Sequence, residues 1–266
     1  METFNQAVAT MKRKRIVRTW HRTTAMCLLI AGYCMPMHAF DPNTRGEPPV
    51  EMIVEKLQAA NLLRAQALLG YSGRRVYKVD YRGFPSGRHA EMTVEAVYSS
   101  PAQKDFRIVS ESGSKLLLQH VLYRLLDSEK EALQNANRKQ TAMSTENYAF
   151  KFVETEQGAE GKFYVLQVEP KIKNKFLYRG TIWVDAEDFA VARIEGKPAK
   201  NPSWWISSTE IHHRYSKVDG FWLPVHNESV THVRVGGQAV LTIDYSDYKI
   251  KTATAATSVR SSSAQP

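Results

Sequence analysis

The stretch KFYVLQVEPKIKNKFLYRGTIWVDAEDFAVARIE, residues 162–195, decides the fold of this chain. It contains three runs of apolar, β-branched and aromatic residues, each about as long as a strand. Two turn signals separate the runs: Pro170 followed by three lysines, and the acidic segment 185–188. Because connections this short join antiparallel neighbours, the stretch predicts three consecutive strands of an antiparallel sheet.

The flanking segments predict more of the same sheet and two helices to cover it. Helix 51–70 carries a wide apolar stripe that has to be buried. Helix 115–139 has an apolar first half with leucines at helical spacing, and a polar second half that we expect to project into water. The expected class is α+β: a strongly curved antiparallel sheet, a half-open β-barrel of about ten strands, covered by helices.

The N-terminal residues 1–39 predict a secretory signal peptide. A basic segment precedes an apolar run, 25–35, that is shorter than the ~20 residues a helix needs to span a bilayer. Ala39 offers a small residue for cleavage, which predicts a periplasmic protein of the bacterial envelope. An uncleaved anchor and a lipoprotein modified at Cys34 are the alternatives, although Tyr33 stands where the lipoprotein signal needs a small residue.

The remaining organisation follows from composition. Residues 40–50 form a Pro-rich mature tail, 51–250 the half-barrel domain, and 251–266 a Ser/Thr/Ala-rich tail that we expect to be disordered. Six of the 36 basic residues and one of the 27 acidic residues lie before position 40, so the rest carries a net charge of +4 instead of +9, which argues against a nucleic-acid partner. Both cysteines lie in the signal segment, so the mature chain would hold no disulfide and no Cys-ligated metal.

Short motifs in the central block carry a family resemblance. They are Pro170-Lys171 at the end of one strand, Tyr178-Arg179 in the next, Trp183-Val184-Asp185 before a turn, and Tyr71-Ser72-Gly73 at a strand start. With these motifs, residues 50–250 resemble the LolA-like superfamily of outer-membrane lipoprotein-sorting proteins, including the N-terminal domain of the RseB (MucB) type. The resemblance implies a curved sheet whose concave apolar face holds acyl chains under a helical lid. In the lipoprotein carrier an Arg directly before a strand-ending Pro helps to close the lid; here Ser100 precedes Pro101, so that latch does not carry over.

The candidate site is an apolar cavity on the concave face, since ligand sites are mostly concave and apolar. The large aromatic residues among the candidates listed below either line such a cavity or fill the interior completely. Four residues of the second helix, Leu118, Val121, Leu122 and Leu125, would form its lid. The basic turn Lys171, Lys173 and Lys175 would dock an anionic headgroup or a partner, although a solvated loop is the simpler explanation. The residues expected to line the cavity are Met92, Val94, Ala96, Tyr98, Phe106, Phe150, Phe152, Tyr164, Leu166, Tyr178, Ile182, Trp204 and Trp205.

Metal and catalytic sites are not indicated. His212 and His213 are neighbours on a predicted strand, so their side chains point to opposite faces and cannot share an ion. The acidic segment 185–188 lacks the glycine and the distal Glu of an EF-hand loop, which favours turn chemistry. Ser72 does not lie in a Gly-x-Ser-x-Gly elbow. We therefore expect no cofactor, no metal and no catalytic residue.

Three functional hypotheses remain. The first is an exported binding protein for lipid or lipoprotein acyl chains, acting as a carrier or as an envelope sensor, with inner- or outer-membrane proteins as further partners. The second is a non-enzymatic periplasmic interaction or scaffold protein whose half-barrel is filled by its own side chains. The third is an unrecognised hydrolase.

Overall fold

The computed structural model describes residues 47–133, 139–200, 206–234 and 236–253. Helix α1 spans Val50–Ala67, and helix α2 runs through Lys115–Leu117, a π-helical turn at Leu118–Leu122, and Tyr123–Ala132. The strands are β1 Leu68–Gly83, β2 Arg88–Ser99, β3 Gln103–Gly113, β4 Tyr148–Gly158, β5 Gly161–Pro170, β6 Tyr178–Asp185, β7 Val191–Pro198, β8 Ile206–Val218, β9 Phe221–Val233 and β10 Gly237–Thr252.

All ten strands belong to one antiparallel sheet. Their order is β3-β2-β1-β10-β9-β8-β7-β6-β5-β4, so β3 and β4 are the two edges and the described sheet does not close. Successive strands pair as hairpins except β3 and β4, which α2 separates. Strand β1 pairs with β10 as well as with β2, and so joins the first three strands to the last seven. The predicted fold class is confirmed: an open, antiparallel sheet with few helices, whose covering is described below.

The predicted end of the first helix, at residue 70, is three residues too late. The helix ends at Ala67, and Leu68 takes an extended conformation and pairs with Thr252 of β10. Sheet pairing therefore overrides the helical propensity of the two leucines that were assigned to the helix. The buried stripe is also narrower than expected: Ile53, Val54 and Leu57 are buried, whereas Leu62 and Leu63 are largely exposed.

Glycines let neighbouring strands approach where the sheet bends. Gly180 of β6 lies opposite Gly196 of β7 on the face that packs against α1. A Cβ on Gly180 would lie 2.1 Å from the carbonyl oxygen of Glu195, and one on Gly196 would lie 2.2 Å from that of Arg179. Only glycine fits this contact, since backbone approaches backbone there.

Turn chemistry agrees with the sequence at both marked turns. Asp219 and Gly220 have φ values of 48° and 84°, the paired positive φ of a hairpin turn that suits the twist of β8 and β9. In the acidic segment, a carboxylate oxygen of Asp185 accepts backbone N–H bonds from Glu187 at 3.0 Å and Asp188 at 2.7 Å. These bonds close the turn between β6 and β7, as the sequence indicated.

Candidate functional site

One face of the sheet carries both helices. The cross-strand partners Tyr77, Ile243, Asn227, His213, Ile194, Ile182 and Leu166 form a continuous row across β1, β10, β9, β8, β7, β6 and β5. Because directly opposed residues share a face, this row defines a single surface, which we call the inner face. Two separate apolar clusters lie on it, one at each end of the row.

The first cluster lies under α1. Its fully buried members on the sheet are Leu166, Val168, Ile182 and Val184, and Leu57 of α1 is equally inaccessible. Six of the residues predicted to line a cavity are in this cluster or pack against it: Phe150, Phe152, Tyr164, Leu166, Tyr178 and Ile182.

The second cluster lies under α2. Met92, Val94 and Ala96 of β2 have no exposed surface, and Phe106 packs against them. The predicted lid residues meet this cluster: Leu118 and Leu122 are buried in it, and Val121 and Leu125 pack against it. Tyr98 lies apart from both helices and stacks on Tyr71 with ring centroids 5.3 Å apart.

The structure therefore divides the proposed cavity-lining residues into two packed groups. Nine of them lie in or against the clusters under α1 and α2, and both clusters are covered by a helix. Trp204 and Trp205 lie outside the described residues. An acyl chain that reached either cluster would have to move a helix, because a helix covers each of them.

An ion-pair network that the sequence analysis missed fastens α2 to the sheet. Glu129 of α2 accepts bonds from Arg75 at 2.7 Å, Lys104 at 2.7 Å and the Tyr77 hydroxyl at 3.1 Å. Arg75 is almost completely buried and also lies over the rings of Tyr245 and Phe106, at 4.9 and 5.5 Å. We call Arg75, Lys104 and Glu129 the latch.

Burial and charge act in opposite directions on the latch. Burial alone would raise the pKa of the Glu129 carboxyl, but the charges of Lys104 and Arg75 and their hydrogen bonds hold that pKa below its usual value. Burial would likewise lower the pKa of Arg75, and the Glu129 carboxylate raises it overall. Both groups are therefore charged at neutral pH, and the pair offsets its own desolvation.

The expectation that the second half of α2 projects into water is wrong. Glu129, in that half, follows the buried Leu122 by seven residues, so it lies on the stripe that faces the sheet and bonds to Arg75, Lys104 and Tyr77 there. Arg75 gave a matching signal, since it alternates in phase with the buried Tyr77 and Val79. A charged residue at an inward position of a strand needs a buried partner, and the latch supplies it.

Polar aromatic residues occupy the inner face between the two clusters. Tyr215 packs against the α1 cluster and Tyr245 against the α2 cluster. Asn227 donates a bond to the Tyr245 hydroxyl at 2.8 Å, while its own side-chain oxygen is buried without a partner. Burial, helped by the nearby His212, lowers the pKa of His213 to about 4, so that imidazole is neutral at pH 7.

The opposite, outer face carries an open cleft of about 550 Å³ near the ends of β4, β6 and β8. Several of its charged groups are paired with neighbouring side chains. Glu156 accepts a bond from the Trp183 indole at 2.7 Å, and Arg193 lies 3.5 Å over the Trp183 ring and 3.6 Å from Glu156. His226 is bonded to Asp244 at 2.6 Å.

The three lysines proposed for docking lie in the turn between β5 and β6. Lys171 donates to the carbonyl of Thr145 at 2.6 Å, and Lys175 is paired with Glu131 of α2 at 2.8 Å. Lys173 is exposed. The turn therefore combines one lysine that fastens α2 with one that points its charge to solvent.

Among the residues that the structure describes, no three or more His, Cys, Asp or Glu side chains group to hold a metal ion. His212 and His213 take successive positions in β8, so their side chains point to opposite faces. No helix within the described ranges is long and apolar enough to cross a membrane.

No protein-family model and no curated protein matches the chain. Solved structures do resemble it loosely. A DUF1329 family protein from Desulfovibrio piger is 14% identical with a TM-score of 0.39, and the match covers 77% of this chain and 94% of that one. An outer-membrane lipoprotein-sorting protein domain from Vibrio parahaemolyticus is 13% identical with a TM-score of 0.38, covering 76% and 94%. The LolA superfamily protein NE2245 from Nitrosomonas europaea is 13% identical with a TM-score of 0.31, covering 77% and 94%.

Proposed function

We propose that this protein is a non-enzymatic, exported binding protein that takes up acyl chains of lipids or lipoproteins between α2 and the inner face of the sheet. The observation that carries the proposal is the way in which α2 packs against the sheet. Its contacts with the sheet are mainly apolar side chains, together with the latch at its C-terminal half and a hydrogen bond from Tyr123 to Glu111 of β3 at 2.6 Å. If the latch opens and α2 lifts, the apolar surface beneath the helix can bind an acyl chain instead.

The free energy gained by burying an acyl chain can offset the free energy lost when the helix lifts. Each methylene buried in an apolar site contributes about 0.8 kcal/mol, so a chain of several methylenes replaces the leucine contacts of a lifted helix. The latch favours the closed position of α2, because release of Glu129 leaves Arg75 buried and without its carboxylate partner until the helix returns.

The N-terminal end of α2 can act as a hinge, whereas its C-terminal half is held by the latch. Its N-terminal junction is Gly113, which has a φ of 90° and can act as a hinge. The π-helical turn at Leu118–Leu122 widens the helix beside the buried β2 residues, and such turns are frequent at functional sites. We place the opening movement at this junction, with the latch as its opposite end.

A photoreactive fatty acid tests the proposal and locates the chain. We expect crosslinks in the full protein within 92–98 of β2 and 117–126 of α2. Glu129→Gln should accelerate both binding and release several-fold. Asp127→Asn, which neutralises an exposed carboxylate of the same helix, should leave both rates near the parent values. Crosslinks confined to residues 1–46, or a purified protein that carries no lipid and ignores the probe, would refute acyl-chain binding.

A filled scaffold is the second candidate, and the packing of the inner face favours it. Both described inner-face apolar clusters are covered by helices, and an open cleft of about 550 Å³ lies on the outer face. On this hypothesis α2 is a permanent part of the core. The same crosslinking experiment separates the two, since a scaffold gives no inner-face crosslinks.

A further inference from the structure

The turns at the two ends of the sheet have opposite charge. At the end where β1, β3, β5, β7 and β9 finish, the described connecting residues outside α2 contain six basic residues and one acidic residue, Glu146. These connecting residues are 84–87, 114, 133, 139–147, 171–177, 199–200, 234 and 236. At the other end, the turns 159–160, 186–190 and 219–220 contain four acidic residues, Glu160, Glu187, Asp188 and Asp219, and no Lys or Arg. One end of the sheet therefore carries basic turns and the other end carries acidic turns.

The basic end also exposes large apolar side chains. Phe84, at the tip of the β1–β2 hairpin, is 81% exposed, and Ile172, in the β5–β6 turn, is 46% exposed. Leu116 is 50% exposed at the start of α2, which follows β3 at this same end. Each one has a basic residue close in sequence: Arg82 and Arg88, Lys171 and Lys173, and Lys115.

The tips are held together. Gly83 of β1 lies opposite Gly237 of β10, which brings the β1–β2 hairpin beside the β9–β10 turn. The Tyr81 hydroxyl donates towards two carbonyls, those of Phe84 at 3.0 Å and Gly236 at 3.3 Å, and so braces both turns. The exposed Phe84 is therefore presented on a supported tip, and Arg234 of the neighbouring turn is exposed beside it.

We propose that this basic end of the sheet, defined by Arg82, Phe84, Arg88, Leu116, Ile172 and Lys173, docks onto an anionic membrane surface. Basic residues near such a surface are attracted by its negative potential, and aromatic or aliphatic tips enter the interface between headgroups and acyl chains. A soluble partner would require a matched shape, whereas a bilayer needs only charge and apolar tips along one edge. The acidic end would then face away from the lipid.

Docking at this end would put the start of α2 and its Gly113 junction next to the membrane. The inference stands apart from the proposed function, because a scaffold without an acyl-chain site could dock in the same way. The two are measured separately, one by crosslinking on the inner face and one by vesicle binding.

Vesicle co-sedimentation of the full chain tests the docking surface. We expect binding to vesicles of 30% phosphatidylglycerol in phosphatidylcholine to exceed binding to pure phosphatidylcholine at least tenfold, and to weaken as salt is raised. The double variant Arg88→Glu/Lys173→Glu should lose at least tenfold in affinity. Phe84→Ser should lose threefold or more, because it removes the most exposed apolar tip.

Matched controls use residues in the middle of strands. Lys78→Glu/Lys151→Glu changes the net charge by the same amount at exposed positions of β1 and β4, and Val153→Ser removes an exposed apolar side chain from β4. Both should bind as the parent does. Equal binding to the two vesicle types, or equal losses in the control and in Arg88→Glu/Lys173→Glu, would overturn the proposal.

Discussion

Single residues on the inner face of this sheet are set by their partners across strands. Arg75 is the clearest case, because nothing adjacent in sequence compensates its charge and its acidic partner, Glu129, lies 54 residues away. His213 is the converse case: it lies on the same face without an acidic partner, and burial keeps its imidazole neutral. The two residues show how one face can hold a charged pair and a suppressed charge at the same time.

The neutral His213 predicts a stability that depends on pH. Its pKa falls from an ordinary 6.5 in the unfolded chain to about 4 in the folded one, so the unfolded state binds the extra proton between these values. Stability should therefore be full above pH 6.5 and decline as the pH falls towards 4, by up to about 3 kcal/mol from this residue. Urea unfolding between pH 4 and 7.5 measures it.

A histidine on α2 provides the control for that measurement. His213→Gln should flatten the decline between pH 6.5 and 4, whereas His120→Gln, at an exposed position, should leave it unchanged. An unaltered pH profile in His213→Gln would show that His213 is not the group responsible.

At the scale of elements, the two helices are anchored differently. Helix α1 is held by Ile53, Val54 and Leu57 and by Arg64, which donates to the backbone carbonyls of Asp188 and Phe189 at 2.8 and 3.0 Å. Helix α2 instead relies on its leucines and on the latch. Elements that move are drawn from the less stable parts of a structure, so α2 is the element we expect to move.

Leu122→Asp should release α2 while most strands stay paired. A carboxylate at this fully buried position is costly, and the helix can escape the cost by lifting from β2. Leu116→Asp, in the same helix but half-exposed, is the matched control and should cost less than about 0.5 kcal/mol. Hydrogen exchange should rise in α2 and β2 of Leu122→Asp and remain low in β5 and β6. Complete unfolding of that variant would instead make α2 part of an indivisible core.

At the scale of the molecule, one continuous sheet joins two apolar clusters. The strands β8, β9 and β10 connect them through a band that is more polar, with His213, Asn227 and Tyr245 on the inner face. Two clusters joined by a polar band predict two regions of local opening. The latch and the basic end belong to the same half of the sheet order as α2, apart from the β5–β6 turn.

Substitutions in the two clusters should therefore open different regions. Leu57→Ala and Met92→Ala each remove a fully buried side chain, and each should destabilise the protein by about 2–4 kcal/mol. Hydrogen exchange should rise mainly in β4–β7 for Leu57→Ala and in β1, β2 and α2 for Met92→Ala. A uniform rise in both variants would mean that the sheet behaves as one core.

The sequence by itself determined the strands, the turns between them and the existence of both helices. Alternation in β2 and the short connections of residues 162–195 are local signals, and antiparallel hairpins need nothing else. The same local signals predicted a fold class that the sheet topology confirms. They placed the inward residues on the correct face because side chains alternate strictly along a strand.

Only the tertiary structure decided how that face is divided. Which helix covers which strands depends on the pairing of β1 with β10, a contact between distant parts of the chain, and this pairing separates Met92 from Leu166. The same long-range packing brings Glu129 to Arg75 and gathers the basic turns at one end of the sheet. Spacing along the chain carries local periodicity but not the distances between elements, so these features arise only when the sheet is assembled.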